Sequence, residues 1–321
     1  MIDHHITYSP VIIPTLCRSS HFTRCVESLS RCTGAGSTDL YIALDYPLRE
    51  SHHAGYTEIT EYIKNIQGFK SVNVIKREKN FGAVNNLHDA IAEVVRNYEM
   101  FILSEDDNEF SPNFLEYMNR TLQKFENDES VLAVTAYNRM IDTTGYDANI
   151  YAAKSYSGWG TGYLRKDIEF ILEHVTTESY AYQILKSWKQ SLILYKRYPS
   201  LLHGLLSIVK TGHVTGDTLV VSYMVLNNKY CIWPTLSKVR NHGFDGGGEH
   251  FGSVPDHPLL TQEIDTETSF EPDDIAIEEN ALMRRLNEKY GKQTSVKELL
   301  FCIYIPVRYL IYRLTGKIIY K

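Results

Sequence analysis

The chain has 321 residues, of which 43% are apolar and 22% are charged, so it can bury the core of one large domain or two smaller ones. Its formal charge of −6 argues against a general nucleic-acid-binding protein, which presents a basic surface. Five cysteines without C-x-x-C or Cys/His metal spacing predict free thiols in a reducing compartment rather than a disulfide framework.

The N-terminus, Met1 to His5, lacks the basic region and apolar core of a signal peptide. No apolar run approaches the ~20 residues that a membrane-spanning helix needs. These two features predict a cytoplasmic protein.

The first half of the chain alternates short apolar runs with segments of helical periodicity. We predict strands over 10–14, 39–44, 72–75, 100–105 and 131–135, and helices over 21–29, 56–67 and 85–98, with a further helix opened by Pro112. Repeated β-α-β units of this kind predict an α/β fold with a mostly parallel sheet and helices on both faces.

The second half is less regular. We predict a loop over 158–162, helices over 166–174, 180–198 and 217–226, a strand over 230–233 and a glycine-rich flexible loop over 243–252. No linker separates two folding units clearly. We therefore assign 1–255 to one domain, divided near residue 140, and 256–321 to an acidic segment followed by a basic tail.

Three consecutive carboxylates are the most informative local feature. Glu105, Asp106 and Asp107 directly follow the apolar run Met100 to Leu103, and the carboxyl end of a parallel strand is where open α/β sheets bind ligands. Three anions at one strand end repel each other unless a cation is present. The triplet indicates either a Mg²⁺ or Mn²⁺ site shared with a diphosphate or a solvated acidic loop, and the apolar strand before it favours the metal site.

The C-terminal segment, residues 299–321, alternates apolar and aromatic residues with Arg308, Arg313, Lys317 and Lys321. This pattern predicts an amphipathic helix. The helix either lies at an anionic membrane surface or packs on the domain with its basic face in water. The basic, tyrosine-rich character of the segment in an acidic protein favours the membrane surface.

Several motifs occur in an order that resembles GT-A-fold glycosyltransferases of the inverting type. They are Pro14-Thr15-Leu16-Cys17-Arg18, Asp45, Asn80-Phe81-Gly82, Glu105-Asp106-Asp107, Gly158-Trp159-Gly160, Asp217 and Trp233 to Gly243. The order is similar to that of the N-acetylglucosaminyltransferase I group and of bacterial polysaccharide-assembly enzymes. The resemblance covers roughly residues 8–255, with a nucleotide-sugar-binding half over 8–140 and an acceptor-binding half over 141–255.

The resemblance implies a nucleotide-sugar donor and a Mn²⁺ or Mg²⁺ cofactor that bridges the donor diphosphate. Asp107 would hold the metal, and the other donor-binding positions would be Thr15, Arg18, Asp45, Asn80, Gly82, Glu105 and Asp106. Two of these positions have simpler explanations. Arg18 is also compatible with a surface charge, and Asp45 with an Asp that starts a turn.

In the acceptor half, the resemblance implies that Asp217 is the general base that deprotonates the acceptor hydroxyl. An Asp that only favours the dipole of a helix N-terminus fits the same position. Trp159 and Gly160 would contact the acceptor sugar, although a core Trp between glycines is an equally simple explanation. The loop 243–252 would close over the donor, and either flanking histidine, His242 or His250, would complete the metal site.

Together these features predict an inverting, metal-dependent hexosyltransferase that uses a nucleotide-sugar, most simply a UDP-sugar. The acceptor would be a saccharide or a lipid-linked saccharide, in bacterial surface polysaccharide assembly at the inner face of the membrane. Two alternatives remain open: a sugar-phosphate nucleotidyltransferase and a catalytically silent carbohydrate-binding protein. The nucleotidyltransferase would normally carry a glycine-rich phosphate loop after the first strand, and residues 14–20 contain no glycine.

Overall fold

A computed structural model describes residues 6–244, 254, 257–291 and 296–318. The strands are β1 (Val11–Thr15), β2 (Asp39–Leu44), β3 (Ser71–Lys76), β4 (Met100–Leu103), β5 (Asn108–Phe110), β6 (Val131–Thr135), β7 (Ile150–Ala153), β8 (Thr161–Leu164), β9 (Tyr230–Pro234) and β10 (Val239–Asn241). The helices are α1 (Ser19–Ser30), α2 (His53–Ile63), α3 (Ala83–Val94), α4 (Phe114–Phe125), α5 (Arg165–Phe170), α6 (Glu178–Lys186), α7 (Trp188–Arg197), α8 (Pro199–Thr211), α9 (Gly216–Asn227), α10 (Ala281–Gly291) and α11 (Val296–Thr315).

Eight strands form one mixed sheet in the order β3-β2-β1-β4-β8-β6-β9-β7. The strands β3, β2, β1 and β4 are parallel, and so are β6 and β9, whereas β8 is antiparallel to both of its neighbours. The strands β5 and β10 form a separate antiparallel pair. This architecture confirms the predicted α/β, Rossmann-like class with a mostly parallel sheet.

The first half of the chain follows the sequence prediction closely. The strands β2 and β6 have the predicted bounds, and the other predicted elements are shifted by a few residues at their ends. The inner strands are almost continuously buried, as parallel strands covered by helices are. Such strands are easy to recognise because both faces need apolar side chains.

The second half differs from the prediction at several places. The predicted loop 158–162 ends two residues early, because Thr161 begins β8, and β7, α8, β10 and α10 were not predicted. The segment predicted as one helix over 180–198 is two helices, α6 and α7. The chain turns at Ser187, whose extended backbone ends α6 and whose side chain accepts a hydrogen bond from the Gln190 N–H at the start of α7.

The acidic segment after residue 261 is held by a buried ion pair to the residue before β10 and by hydrogen bonds to the start of α4. Lys238, only 2% exposed, pairs with Asp265 and lies 4.5 Å from the ring centre of Phe270. The Asn113 amide donates to Asp265 at 2.9 Å, and Glu116 accepts from the Phe270 N–H at 3.1 Å. The predicted boundary at residue 255 is untested and stays a prediction.

The predicted C-terminal amphipathic helix is present as α11. Ile305, Arg308 and Tyr309 are buried, and the Tyr309 hydroxyl donates to the Leu185 carbonyl at 2.9 Å. Within the residues that the structure describes, no helix is both long enough and apolar enough to cross a membrane.

Candidate active site

The sheet gathers the predicted donor-binding residues at one edge. Strands β2, β1 and β4 are consecutive and parallel, so the segments that follow them start side by side. Asp45, the turn after Thr15, and the carboxylate triplet after Leu103 therefore converge. The carboxyl edge of an open α/β sheet is the expected place for a ligand.

Arg18 joins two of the three triplet carboxylates to the turn after β1. Its Nη1 donates to Asp107 Oδ2 at 2.8 Å, and its Nη2 pairs with Asp106 Oδ1. Thr15 Oγ1 donates to Asp106 Oδ2 at 2.9 Å. Burial raises the pKa of the Asp106 carboxyl, and Arg18 opposes that rise. Burial opposes the charge of Arg18, yet the two aspartates raise the pKa of its guanidinium. Arg18 is thus part of the site rather than a surface charge.

Glu105 is recessed among protein atoms but keeps surface that solvent can reach from the cleft. Removal from bulk water and the nearby charges of Asp107, Asp106 and Asp217 raise the pKa of its carboxyl to about 8. Arg18 lowers that pKa but does not offset the other effects. The cleft therefore holds more negative charge than Arg18 balances, which is the situation that a bound cation relieves.

Asp107 is oriented by the β5–β10 pair. Asn241 Nδ2 donates to Asp107 Oδ1 at 2.5 Å, and the His242 N–H donates to the Asp107 carbonyl at 2.8 Å. A Cβ atom at Gly243 would lie 2.4 Å from Asp107 Oδ2, so only glycine fits at this position without displacing the carboxylate. Asn241 belongs to the motif Trp233 to Gly243, but the sequence did not indicate its contact with Asp107.

The predicted metal ligand His242 has its ring turned to another carboxylate. Its Nε2 lies 2.7 Å from Glu109 Oε2, and this hydrogen bond lowers the pKa of the Glu109 carboxyl. A role for His242 at the metal stays a prediction. His250 and most of the predicted lid, residues 245–253, lie outside the described part of the chain.

Asp45, Asn80 and Gly82, three of the predicted donor-binding residues, meet through the carboxylate of Asp45. Its two oxygens accept hydrogen bonds from the backbone N–H groups of Tyr46 (2.8 Å), Phe81 (2.8 Å) and Gly82 (2.9 Å). Asn80 Nδ2 lies 3.3 Å from Asp45 Oδ2, and Gly82 has φ of +74°, which favours glycine. Asp45 thus starts the turn after β2. It also holds the loop that contains Asn80 and Gly82 against the end of β2.

The predicted acceptor residues flank the triplet. A Cβ atom at Gly158 would lie 3.6 Å from Glu105 Oε1, which brings the Gly-Trp-Gly loop to the acidic cleft. Trp159 is half-buried, with its ring centre 4.7 Å from that of Tyr137 and 6.2 Å from that of Phe244. Gly160 is buried with φ of +68°. Trp159 thus packs against two aromatic rings and keeps part of its surface exposed.

Asp217 lies in the first turn of α9, is exposed, and is close enough to Glu105 to raise its pKa. Its charge also contributes to the raised pKa of Tyr156, after the larger effect of burial. The Tyr163 hydroxyl donates to the Tyr156 hydroxyl at 2.6 Å. Tyr156 is a neighbour of the site that no sequence pattern singled out.

The donor atoms of the cleft fit a hard divalent cation. The triplet supplies carboxylate oxygens to a cleft with excess negative charge, and such oxygens suit Mg²⁺ or Mn²⁺. In the part of the chain that the structure describes, no three His, Cys, Asp or Glu side chains are arranged as a metal site by themselves. A cation held by one or two carboxylates and by substrate phosphates satisfies both observations.

Comparison with known proteins gives a family match. The model of the GNT-I family matches residues 3–167, which include the triplet and the predicted donor positions. No curated protein matches the chain.

Solved structures give distant likenesses. Two structures of TarS from S. aureus are 15% and 14% identical and have TM-scores of 0.33 and 0.34. Each match covers 52% of this chain, but only 29% and 48% of the TarS chains, so the chain spans less than half of their length. The mannosyltransferase PcManGT from Pyrobaculum calidifontis, solved with GDP-Man and Mn²⁺, is 10% identical over 98% of this chain and 89% of its own, with a TM-score of 0.40.

Proposed function

The chain belongs to the GNT-I family of glycosyltransferases, and from that premise we propose an inverting transfer of a sugar from a nucleotide-sugar to a saccharide acceptor. The observation that carries the proposal is the cluster of Glu105, Asp106, Asp107 and Asp217 around one cleft, with Arg18 as counter-charge. We propose a UDP-sugar as the donor, because the motif order resembles enzymes that use UDP-sugars.

The cofactor is a divalent cation, Mn²⁺ or Mg²⁺, in line with the family. When bound, such an ion neutralises the diphosphate that leaves with the nucleotide. Asp107 is the residue that would hold it, and Asn241 together with Arg18 keeps that carboxylate in place. Asp106, fixed by Thr15 and Arg18, would meet the donor ribose or sugar.

Asp217 is the proposed general base. The acceptor hydroxyl attacks the anomeric carbon from the face opposite the diphosphate, its proton passes to an Asp217 carboxylate oxygen, and the bond to the nucleoside diphosphate breaks. Asp217 lies in the first turn of α9, where the helix dipole favours negative charge. Two neighbouring carboxyl groups in different surroundings, Glu105 and Asp217, suit such a division of roles.

The acceptor half is proposed to lie around the Gly-Trp-Gly loop and α9. Gly158 lies beside Glu105, and the neighbouring Trp159, which is half-buried, is proposed to stack on the apolar face of a pyranose ring. A saccharide or lipid-linked saccharide acceptor would enter from this side. We propose that the enzyme acts in bacterial surface polysaccharide assembly at the inner face of the membrane.

The test is Asp217→Asn, with Asp167→Asn, an aspartate in the first turn of α5, as the matched control. Nucleotide release and sugar transfer are measured with Mn²⁺ and a panel of UDP-, GDP-, dTDP- and CMP-sugars, of which the CMP-sugars release a nucleoside monophosphate and the others a diphosphate. Loss of a general base lowers turnover by roughly 10²–10⁴-fold, whereas donor affinity by calorimetry stays unchanged.

Near-normal turnover of Asp217→Asn would show that Asp217 is not the base. Absence of binding and turnover for every donor would support a silent carbohydrate-binding protein. Pyrophosphate release from a nucleoside triphosphate and a sugar phosphate would instead support a nucleotidyltransferase.

A further inference from the structure

Helix α11 has apolar side chains on two opposite faces. One face, with Ile305 and Tyr309, is buried against the domain. The opposite face is open to solvent, and its four apolar residues share one stripe at spacings of four, three and four: Ile303 (59% exposed), Val307 (49%), Leu310 (46%) and Leu314 (76%). A surface helix with one buried face normally turns polar residues outward, so this stripe needs another explanation.

Helix α7, which contacts α11 through Trp188, carries further exposed apolar residues. Trp188, 52% exposed, lies with its ring centre 5.0 Å from that of Tyr309 on α11. Leu192, one turn further along α7, is 51% exposed. The exposed apolar residues of the two helices, together with three exposed lysines, are called here the basic apolar face: Trp188, Leu192, Ile303, Val307, Leu310, Leu314, Lys186, Lys189 and Lys196. Apolar surface gathered in this way marks an interaction site rather than scattered exposure.

The same helices are basic in a protein of net charge −6. Residues 178–211 and 303–318 contain a single acidic residue, Glu178, and their basic residues include Lys186, Lys189 and Lys196, which are exposed. A cavity of about 580 Å³ opens between α6, α8 and α11, and Lys186, Lys210 and Arg313 are among its lining residues. Cationic side chains around a recess at the edge of an apolar surface match the phosphate groups of a lipid headgroup layer.

We propose that the basic apolar face docks the enzyme on a membrane of anionic phospholipid. The exposed stripe of α11 would enter the boundary between headgroups and acyl chains, while the surrounding lysines bind lipid phosphates. Apolar and basic contributions together give reversible attachment of a peripheral helix.

The charge of the face selects this occupant over a second copy of the chain. A symmetric dimer through the face would bring Lys186, Lys189 and Lys196 of two copies close together, and like charges across an interface are unfavourable. An anionic membrane neutralises them instead. The proposal does not depend on glycosyl transfer, since membrane binding is measured without donor or acceptor.

The apolar part is tested with the triple variant Val307→Ser, Leu310→Ser, Leu314→Ser. Its matched control replaces three exposed apolar residues elsewhere by serine, at Leu48, Val74 and Val84. Full-length proteins are sedimented with vesicles of phosphatidylcholine mixed with phosphatidylglycerol, and with phosphatidylcholine alone. We expect wild type and control to bind the anionic vesicles, and the α11 variant to lose at least ten-fold in partitioning.

The charge is tested with Lys186→Gln, Lys189→Gln, Lys196→Gln against a control with the same charge change at Lys64, Lys76 and Lys166, which are also exposed. Each lysine near an anionic surface contributes about five-fold to partitioning. Circular dichroism checks that each variant is folded. The proposal would be overturned if the α11 variant and the lysine variant both bound anionic vesicles as well as wild type does. It would also be overturned if wild type did not bind anionic vesicles. Self-association lost in the α11 variant without any vesicle binding would overturn it in favour of a dimer.

Discussion

Gly243→Ala tests how Asp107, the proposed metal-binding residue, is positioned, without changing Asp107 itself. The added Cβ would lie 2.4 Å from Asp107 Oδ2 and 3.0 Å from Asn241 Oδ1. An ordinary contact of this type is about 3.5 Å, so the carboxylate oxygen has to move by about 1 Å. Both neighbouring atoms belong to short side chains that already hold hydrogen bonds, so neither yields freely.

The displacement acts on the proposed chemistry through Asp107. Moving Oδ2 lengthens its 2.8 Å bond to Arg18 and takes the carboxylate away from the place where the proposed cation is bound. A misplacement of about 1 Å at a reacting centre costs roughly 10²-fold in rate. We therefore expect kcat/KM of Gly243→Ala to fall by roughly 10²-fold and its Mn²⁺ requirement to rise.

The assay is nucleoside diphosphate release as a function of Mn²⁺ concentration, with Gly36→Ala as the control. A Cβ at Gly36 meets no atom within 4 Å, so its kinetics should match wild type. Thermal unfolding of both variants separates a local effect from loss of fold. Wild-type kcat/KM and wild-type metal dependence in folded Gly243→Ala would refute the assignment of Asp107 to the metal.

Two further predictions concern the scaffold. Gly162→Ala puts a Cβ 2.7 Å from the buried Leu122 side chain, and overpacking of this kind should lower the free energy of unfolding by about 1–3 kcal/mol. Chemical denaturation measures this loss, with Gly36→Ala as the reference. An unchanged denaturation midpoint would contradict the close packing at Gly162. Burial works against the charge of Asp39, but its hydrogen bonds, including that from Lys70 at 2.8 Å, lower its pKa overall. Ionised Asp39 therefore stabilises the folded protein at pH values above the pKa that Asp39 has in the unfolded chain. This contribution is lost as the pH falls through the lower pKa that Asp39 has in the folded protein. Asp39→Asn should therefore cost about 1–2 kcal/mol at neutral pH and progressively less in acid, and a pH-independent difference would contradict this.

Much of the donor half could be predicted from the sequence because its information is local. Buried parallel strands are short apolar runs, and the residues that follow them necessarily meet at one edge of the sheet. The position of the triplet followed from this rule, whereas Asp45 was singled out by the family resemblance. That Arg18 bridges Asp106 and Asp107 required the structure, because an isolated Arg after a strand carries no pattern.

The residues that the sequence did not reveal depend on distant contacts. Asn241 reaches Asp107 only because β10 pairs with β5, and the same pairing places His242 beside Glu109. The division of α6 from α7 at Ser187 was missed because the apolar periodicity continues across the break. In each case tertiary contacts, rather than local propensity, decide the outcome.

The measurement that tests the central claim most directly is calorimetric titration of wild type and Asp107→Asn with UDP-, GDP-, dTDP- and CMP-sugars, with and without Mn²⁺. We expect one nucleotide-sugar to bind wild type much more tightly when Mn²⁺ is present. We also expect Asp107→Asn to lose this metal-dependent gain in affinity while it remains folded. Equal affinity with and without Mn²⁺, or an undiminished gain in Asp107→Asn, would contradict the assignment of the acidic cleft to a metal-bound nucleotide-sugar.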